Sequence, residues 1–449
     1  MSRTTPVKRY IMLCLLLLCM LGVSGCTLEL PTPESLIAAP ETNQELMQQK
    51  QMIAEFLTNE ERMIVPEENT IGTAYQYINL DDDNEKEIVV FYANKESNFM
   101  LGFMILDQQN GDWKLLHKTT AYGTGIHYFS VQDLDGDNTP EFLLGVKTGY
   151  GSMKELYIYH LADNELVDIT SEDRLVYDRI LLAEPRDSQP LLVTARTDTT
   201  VLVGNSSIMI YAYDNQNIYP VYDETFDGYC SDMRFAKVSA EAEGIYMAMR
   251  YNHYVNLLLL CETDAGYAVA LEHTIPYDYG EMDDVAIFGD VNYDGIMEIN
   301  SLWSPENNIS GRPYADYVHV WLQWDGNSGL EAVSAILADH TNGYRFYVPL
   351  AWMDVLYYDF YTENEIAWTE FYIVNEERSL EAVFALAAVD QLIWDSIADD
   401  AADSIVVLGN NPTLNKVYIA NIFAEEFSGF LVDAETLISC LQIEGGNQS

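Results

Sequence analysis

Three short acidic segments align with one another without gaps and carry the residues best suited to chemistry. They are residues 79–87, 133–141 and 290–298. Positions 1, 3 and 5 of each segment hold an oxygen-bearing side chain, and position 9 is a glutamate. Such oxygens can surround a hard cation if the loop curls, so the segments predict up to three structural calcium sites. The candidate ligands are Asn79, Asp81, Asp83 and Glu87; Asp133, Asp135, Asp137 and Glu141; and Asp290, Asn292, Asp294 and Glu298.

The residues around these ligands predict loops between β-strands. Position 6 is Asn84, Asn138 or Gly295, residue types that tolerate a left-handed backbone. Strand-like residues follow each segment, most clearly at 88–90 and 142–144. An EF-hand is not expected, because its closing glutamate stands at position 12, after a helix has begun. The alternative is a set of plain acidic turns, since Asp, Asn and Gly favour turns in any case.

The spacing of the segments predicts a repeated architecture. Asp81 and Asp135 are 54 residues apart, and Asp135 and Asn292 are 157 apart, close to three periods of about 52 residues. Two degenerate copies are therefore expected near residues 187 and 240. A period near 50 residues that is filled with short strands is typical of the four-stranded blades of a β-propeller.

These segments resemble the FG-GAP or VCBS-type calcium repeats of integrin-like β-propellers. The best single match is Phe288-Gly289-Asp290 followed by Asp294-Gly295. The resemblance covers residues 60–335 and implies a mainly β fold with about five four-stranded blades. The arrangement is also similar to uncharacterised lipoproteins of Gram-positive bacteria, which join such repeats to a C-terminal domain. That family has no established activity to transfer.

The N-terminus predicts export and a lipid anchor. Arg3, Lys8 and Arg9 precede an uncharged apolar run at residues 10–22, which is too short to span a bilayer and fits a signal peptide. Val23-Ser24-Gly25-Cys26 resembles a lipobox, so residues 1–25 are predicted to be a lipoprotein signal peptide and Cys26 the lipidated residue, a palmitate carrier. Residues 26–59 are predicted to be a tether with a short helix. The expected location is the extracytoplasmic face of the cell membrane.

The net charge limits the expected partners, and the cysteine content limits the possible disulfides. The chain has 71 acidic and 22 basic residues and a net charge of −49, which excludes nucleic acid as an expected partner. Of the six cysteines, Cys14 and Cys19 would leave with the signal peptide and Cys26 would be lipidated, so Cys230, Cys261 and Cys440 would remain. A Cys230–Cys261 disulfide is one interpretation, and buried free thiols are the other.

Residues 336–449 lack the acidic repeat and predict a small α+β domain. The chain contains no metalloprotease, nucleophile-elbow, P-loop or CxxC motif. The expected function is therefore a non-catalytic binding or scaffold module for an extracellular protein or a cell-wall polymer. A lectin is the first alternative, with Trp352 and Trp368 as a sugar-stacking platform, and a glycan hydrolase is the second.

Overall fold

A computed structural model describes the chain in two units, residues 1–61 and 62–449. In the first unit the described part begins at residue 44 and contains helix α1 (Gln44–Ala54). Among the residues described, no helix is long and apolar enough to cross a membrane. The structure describes residues 44–448, apart from 68–71, 81–84, 97–98, 150–152, 163–164, 187, 199, 201–203, 215–216, 252–253, 277–285, 304–317, 375–378, 399–400 and 445–446.

The second unit is mainly β, as the sequence predicts, and it consists of antiparallel sheets in chain order. The first sheet contains β1 (Glu61–Met63), β2 (Tyr75–Ile78), β3 (Glu87–Asn94), β4 (Met100–Gln109), β5 (Asp112–Lys118) and β6 (Ala121–Tyr122). The second contains β7 (Gly125–Gln132), β8 (Glu141–Lys147), β9 (Lys154–Ala162), β10 (Glu165–Asp168) and β11 (Leu175–Tyr177). The third contains β12 (Arg179–Ala183), β13 (Leu191–Asp198), β14 (Asn205–Asp214) and β15 (Asn217–Asp227).

The fourth and fifth sheets continue the same plan. The fourth contains β16 (Tyr229–Lys237), β17 (Glu243–Tyr251), β18 (Tyr254–Thr263) and β19 (Gly266–Pro276). The fifth begins with β20 (Phe288–Gly289), β21 (Glu298–Trp303), β22 (Val318–Trp324), β23 (Leu330–Asp339) and β24 (Tyr344–Tyr347). Five consecutive sheets thus contain a four-stranded meander: β2–β5, β7–β10, β12–β15, β16–β19 and β20–β23.

The C-terminal part of the chain builds a sixth sheet and completes the fifth. Its helices are α2 (Gln391–Ile397) and α3 (Ala434–Cys440), with one turn of 3-10 helix at Leu350–Trp352. The sixth sheet contains β25 (Leu356–Glu363), β26 (Ile366–Val374), β27 (Leu380–Asp390), β28 (Ile405–Asn411), β29 (Lys416–Ile422) and β33 (Asn447–Gln448). Strands β30 (Glu426–Phe427) and β31 (Phe430–Leu431) pair with each other, and β32 (Leu441–Ile443) follows α3. Strand β32 pairs with β24 of the fifth sheet. The predicted domain boundary at 335/336 falls inside β23.

Local sequence explains why these strands form and where they turn. The central strands β3, β8 and β17 are nearly continuous apolar runs that are buried on both faces. Between β4 and β5, Asn110 and Gly111 both have positive φ, 55° and 89°, which matches the tight hairpin that an Asn-Gly pair favours.

Consecutive sheets pack face to face through separate hydrophobic clusters. In β8, Phe142 and Leu144 pack toward the first sheet, while Leu143 between them packs toward the third. Further clusters join the third sheet to the fourth, the fourth to the fifth and the fifth to the sixth. Among the described residues, no strand pairing or hydrophobic cluster joins the first sheet to the sixth. Closure of the sheets into a ring therefore stays a prediction.

The remaining cysteines are free and buried. Cys230 packs in the cluster between the third and fourth sheets, whereas Cys261 packs between the fourth and fifth. Of the two interpretations drawn from the sequence, the structure supports buried thiols.

A buried histidine in the second sheet makes stability depend on pH. His127 lies against the hydroxyl of Tyr177 at 3.2 Å. Burial, followed by the positive charge of Lys154, lowers the pKa of His127 to about 4. The unfolded chain binds this proton near pH 6.5 and the folded chain does not, so stability is lost as the pH falls from 6.5 to 4.

We expect His127→Gln to remove this pH dependence. The free energy of unfolding of the wild type, relative to that of the variant, should fall by up to about 3 kcal/mol between pH 7.5 and 4. Urea unfolding at both pH values measures the difference, and other titrating groups cancel in it. Parallel pH profiles for the two proteins would contradict the assignment.

Candidate metal centre

The acidic segments occupy one equivalent place in three sheets. Each connects the first strand of a meander to the second, and the glutamate at position 9 is the first residue of that second strand. Pairing of Ile78 with Glu87, Gln132 with Glu141 and Gly289 with Glu298 closes the hairpins. The same hairpins of the third and fourth sheets are residues 184–190 and 238–242, where the spacing predicts the two degenerate copies.

The glutamate at position 9 holds its hairpin together in all three copies. Glu87, Glu141 and Glu298 are each at most 2% exposed. One oxygen of each carboxylate accepts a hydrogen bond from the backbone amide at position 2. The donors are the N–H groups of Leu80, Leu134 and Val291, at 2.7, 2.9 and 2.8 Å. We call this arrangement the glutamate clamp.

In the second sheet, the clamp glutamate belongs to a group of converging carboxylates. Oxygens of Asp133, Asp135 and Glu141 all lie within 4.8 Å of one another. Asp133 also shapes the loop, because its two oxygens accept from the amides of Gly136 at 2.7 Å and Asn138 at 2.9 Å.

Asp137, the other predicted ligand in this loop, is not in that group. One of its oxygens accepts the amide of Thr139 at 2.6 Å.

The fifth sheet has a matching group. Oxygens of Asp290, Asp294 and Glu298 lie within 4.8 Å of one another. Asp290 accepts from the amides of Asp294 at 3.1 Å and Gly295 at 3.0 Å. Asn292, at position 3, accepts the Asp294 amide at 3.0 Å and donates from Nδ2 to the Asp294 carboxylate at 3.0 Å.

The first loop is described only in part. Asn79 and Glu87 belong to the described residues and the glutamate clamp is formed. Asp81 and Asp83, with Asn84, lie outside them, so the ligand group of this loop stays a prediction.

The left-handed backbone at position 6 is confirmed in two loops, with φ of 67° at Asn138 and 82° at Gly295. Position 4 has the same conformation, which the sequence analysis did not predict: φ is 76° at Gly136 and 61° at Tyr293. A glycine adopts this backbone freely, but a tyrosine does so at a cost of about 1–2 kcal/mol. The fifth-sheet loop therefore stores strain at Tyr293.

Side chains outside the segments contact the clamp glutamate of both groups. The second oxygen of Glu141 lies 2.8 Å from Nδ1 of His160, and the second oxygen of Glu298 accepts from Nε2 of Gln323 at 3.1 Å. Sequence analysis missed both residues. Strand register could have found them. Phe142 pairs with Tyr159, which places His160 opposite Glu141, and Ile299 pairs with Leu322, which places Gln323 opposite Glu298.

A buried tyrosine of the third sheet also faces the second-sheet group. The Tyr213 hydroxyl is buried. Burial raises the pKa of Tyr213, and repulsion from Glu141, Asp135 and Asp137 raises it further. The hydroxyl is therefore close to these carboxylates, at the junction of two sheets.

Burial and crowding disfavour the charged forms of the clamp glutamates. Burial raises the pKa of Glu141, against the lowering effect of the His160 hydrogen bond and the Leu134 amide. Burial also raises the pKa of Glu298, and the charges of Asp294 and Asp290 add to the increase. The hydrogen bond from Gln323 lowers the pKa of Asp294.

The residues present fit a divalent cation. Each group brings three carboxylates together around a buried glutamate, where their mutual repulsion is unfavourable unless a positive charge offsets it. The two aspartates are half-buried in the second sheet and exposed in the fifth. A cation with oxygen ligands at about 2.4 Å can contact two oxygens as far as about 4.8 Å apart. All of the donors are oxygens, the type that hard cations prefer.

The fourth sheet has a glutamate at the same place but no acidic loop. Glu243 is the first residue of β17, and it accepts the backbone N–H of Arg186 at 3.0 Å. The guanidinium of Arg186 lies 3.9 Å from the other oxygen. In the fourth sheet a positive side chain therefore lies beside the glutamate, whereas in the second and fifth sheets the equivalent glutamate lies beside two aspartates.

The two tryptophans of the predicted sugar platform are not brought together. Trp352 is 3% exposed and packs on Phe384 and Phe427 in the cluster between the fifth and sixth sheets. Trp368 is 8% exposed and packs in a separate cluster with α2. Both indoles contribute to the core.

Comparison with known proteins adds little. No protein-family model matches the chain, and no curated protein matches it. A crystal structure of a protein from Lactobacillus plantarum is similar at a TM-score of 0.28 and 7% identity, over 72% of this chain and 92% of that one. The exotype rhamnogalacturonan lyase YesX is similar at a TM-score of 0.26 and 12% identity, over 82% of this chain and 77% of that one. Similarity this low supports no argument about activity.

The glutamate clamp predicts a stability effect that does not require a metal. In excess EDTA, Glu141→Ala should lower the free energy of unfolding by about 2–3 kcal/mol, because the buried Leu134 amide loses its acceptor. Glu141→Gln keeps an acceptor oxygen and should cost clearly less. Urea unfolding of both variants measures this. Equal losses for the two would show that the clamp does not stabilise the hairpin.

Proposed function

We propose that the protein is an extracytoplasmic, lipid-anchored binding module whose β-propeller is braced by calcium. The observation that carries this proposal is the glutamate clamp with its converging carboxylates, repeated at the same hairpin of different sheets. Five four-stranded meanders in series are the content of five blades, and we propose that they close into a ring of the FG-GAP or VCBS type.

Calcium is the cation that fits best. Both groups consist of oxygens alone, which disfavours zinc and the other metals that prefer nitrogen or sulfur. Magnesium binds oxygens at about 2.0–2.1 Å with strict octahedral geometry, which demands a tighter and more regular cage. A loop whose oxygens lie within 4.8 Å of one another suits the longer and more adaptable bonds of calcium.

The role proposed for the ion is structural, because the hairpins of neighbouring sheets touch. Gly136 lies against the side chain of Gln189, so close that a Cβ at Gly136 would stand 2.4 Å from its Nε2. The amide of Met297 donates to the carbonyl of Lys237 in the fourth sheet at 2.9 Å. An ion that orders a loop would thereby strengthen the junction of two sheets.

A non-catalytic role is the simplest proposal for these carboxylates, since they accept backbone hydrogen bonds inside closed loops. The proposed partner is an extracellular protein or a cell-wall polymer, and the net charge of −49 disfavours nucleic acid. A lectin platform that uses both Trp352 and Trp368 is not favoured, because the two indoles pack in separate clusters.

Calcium should stabilise the purified protein measurably. A site that binds only the folded state contributes about 2.7 kcal/mol when calcium is at 100 times its dissociation constant. We expect the melting temperature to rise by several degrees between excess EDTA and 10 mM CaCl₂, and to rise less with MgCl₂. Differential scanning calorimetry measures this shift.

Single substitutions assign the effect to its loops. Asp135→Ala and Asp294→Ala should each remove about one equivalent of bound calcium in a calorimetric titration. The matched control is Asp112→Ala, which alters an exposed aspartate at the start of β5. An unchanged melting curve and no heat of binding in the wild type would refute the calcium proposal.

The anchor is tested separately. Cys26→Ser should abolish incorporation of labelled palmitate and move the protein from the membrane fraction to the medium or soluble fraction. Continued membrane association of an unlabelled Cys26→Ser chain would contradict the proposed lipidation.

A further inference from the structure

A cavity of about 390 Å³ opens on one face of the fifth sheet, beside the acidic loop at residues 290–298. This volume lies within the range of about 300–1,000 Å³ that is usual for small-molecule sites. Its wall includes Asp290 and Tyr293 from the loop, together with side chains of four neighbouring strands.

Strand register shows that these side chains share one face of the sheet. Asn300 pairs with Trp321, His319 with Ile336, and Ile336 with Tyr347. Residues in direct cross-strand register point to the same side. One continuous face of the fifth sheet therefore lines the cavity.

This face differs in composition from the other faces in the stack. The opposite side of the fifth sheet carries Val320, Leu337 and Phe346, which pack against the sixth sheet. The cavity face instead carries indole, phenol, imidazole, amide and guanidinium groups. A face rich in polar and aromatic groups is typical of a ligand site, where a few placed hydrogen-bonding groups stand among rings.

Two polar side chains of this face are fixed in orientation. Asn300 is 2% exposed, and its Nδ2 donates to the carbonyl of Ala286 at 2.9 Å. Its Oδ1 therefore accepts from Nδ1 of His319 at 3.0 Å. This bond fixes the orientation of the His319 ring.

Two tyrosines at the edge of the cavity are exposed. Tyr293 is 90% exposed and has the strained backbone described above, where the second-sheet loop has Gly136. Tyr347 is 39% exposed, and its hydroxyl donates to Gln442 at 3.0 Å. A strained and exposed aromatic residue contributes nothing to the core, and such strain is concentrated at functional sites.

We propose that this cavity binds a short, neutral oligosaccharide. A sugar ring offers an apolar C–H face to aromatic rings and hydroxyls to polar groups such as His340 and Arg345, which is the combination that the wall provides. A neutral ligand also avoids the repulsion that a chain with a net charge of −49 exerts on anions. The inference rests on the proposed function, since it names the class of polymer that the binding module takes.

The site should depend on calcium. Asp290 and Tyr293 belong to both the cavity wall and the acidic loop. An ion that orders this loop would also fix the position of Tyr293, so chelation should weaken the sugar site as well.

The test uses the purified full-length protein and neutral oligosaccharides of two to four units. The probes are the β-1,4-glucose, β-1,4-N-acetylglucosamine and α-1,4-glucose series, with α-1,4-galacturonate as the anionic comparison. Saturation-transfer NMR and calorimetry in 1 mM CaCl₂ should show binding of at least one neutral series. Tyr293→Gly should weaken it by about tenfold or more. The matched control, Tyr122→Ala, alters an exposed tyrosine of the first sheet and should leave binding unchanged.

Tyr293→Gly separates binding from folding, because glycine relieves the backbone strain. The variant should keep or raise the melting temperature of the wild type while it loses sugar affinity. Calcium binding at the second-sheet group, which contains Asp135, is measured in the same samples. Calcium binding without affinity for any neutral oligosaccharide would overturn the sugar site and leave the proposed function standing. Sugar binding that persists unchanged in EDTA would support the cavity and refute its dependence on calcium. Binding of galacturonate alone would overturn the assignment of a neutral ligand.

Discussion

The structure depends on buried carboxylates at the start of the second strand of each acidic hairpin. Glu87, Glu141 and Glu298 are almost completely removed from water. A carboxylate in such a place is tolerated only if hydrogen bonds and opposite charge compensate it. The backbone amide at position 2 supplies one hydrogen bond in every copy, and at Glu141 and Glu298 a side chain of the third strand contacts the second oxygen. The two groups of converging carboxylates leave a place for a cation to provide the rest.

This constraint connects the loops to the packing of the sheets. Leu134 donates its amide to Glu141 while its side chain is buried in the cluster that joins the second and third sheets. Tyr213 of the third sheet faces the same carboxylates. Because the central strands are apolar on both faces, no sheet can bury its surface alone. Each hairpin therefore lies at a junction, where its order affects two sheets.

The fifth sheet is apolar on one face only. Its apolar face continues the core, whereas the other carries Asn300, His319 and Trp321 around a cavity. The aromatic residues that the sequence singled out, Trp352 and Trp368, are core residues instead. Aromatic content alone does not separate these roles, since Tyr, Trp and Phe fill cores as readily as they line sites.

The sequence by itself determined the mainly β class, the place of the acidic hairpins and the left-handed position 6, because strand patterns and turn geometry are local properties. It also determined the spacing at which Asp133, Asp135 and Glu141 stand in one loop. Only the tertiary structure decided that His160, Gln323 and Tyr213 approach the carboxylates, since strand register and sheet packing bring together residues far apart in the chain. It likewise decided which aromatic residues are buried, because burial depends on the neighbour that covers a face, and no local pattern encodes that neighbour.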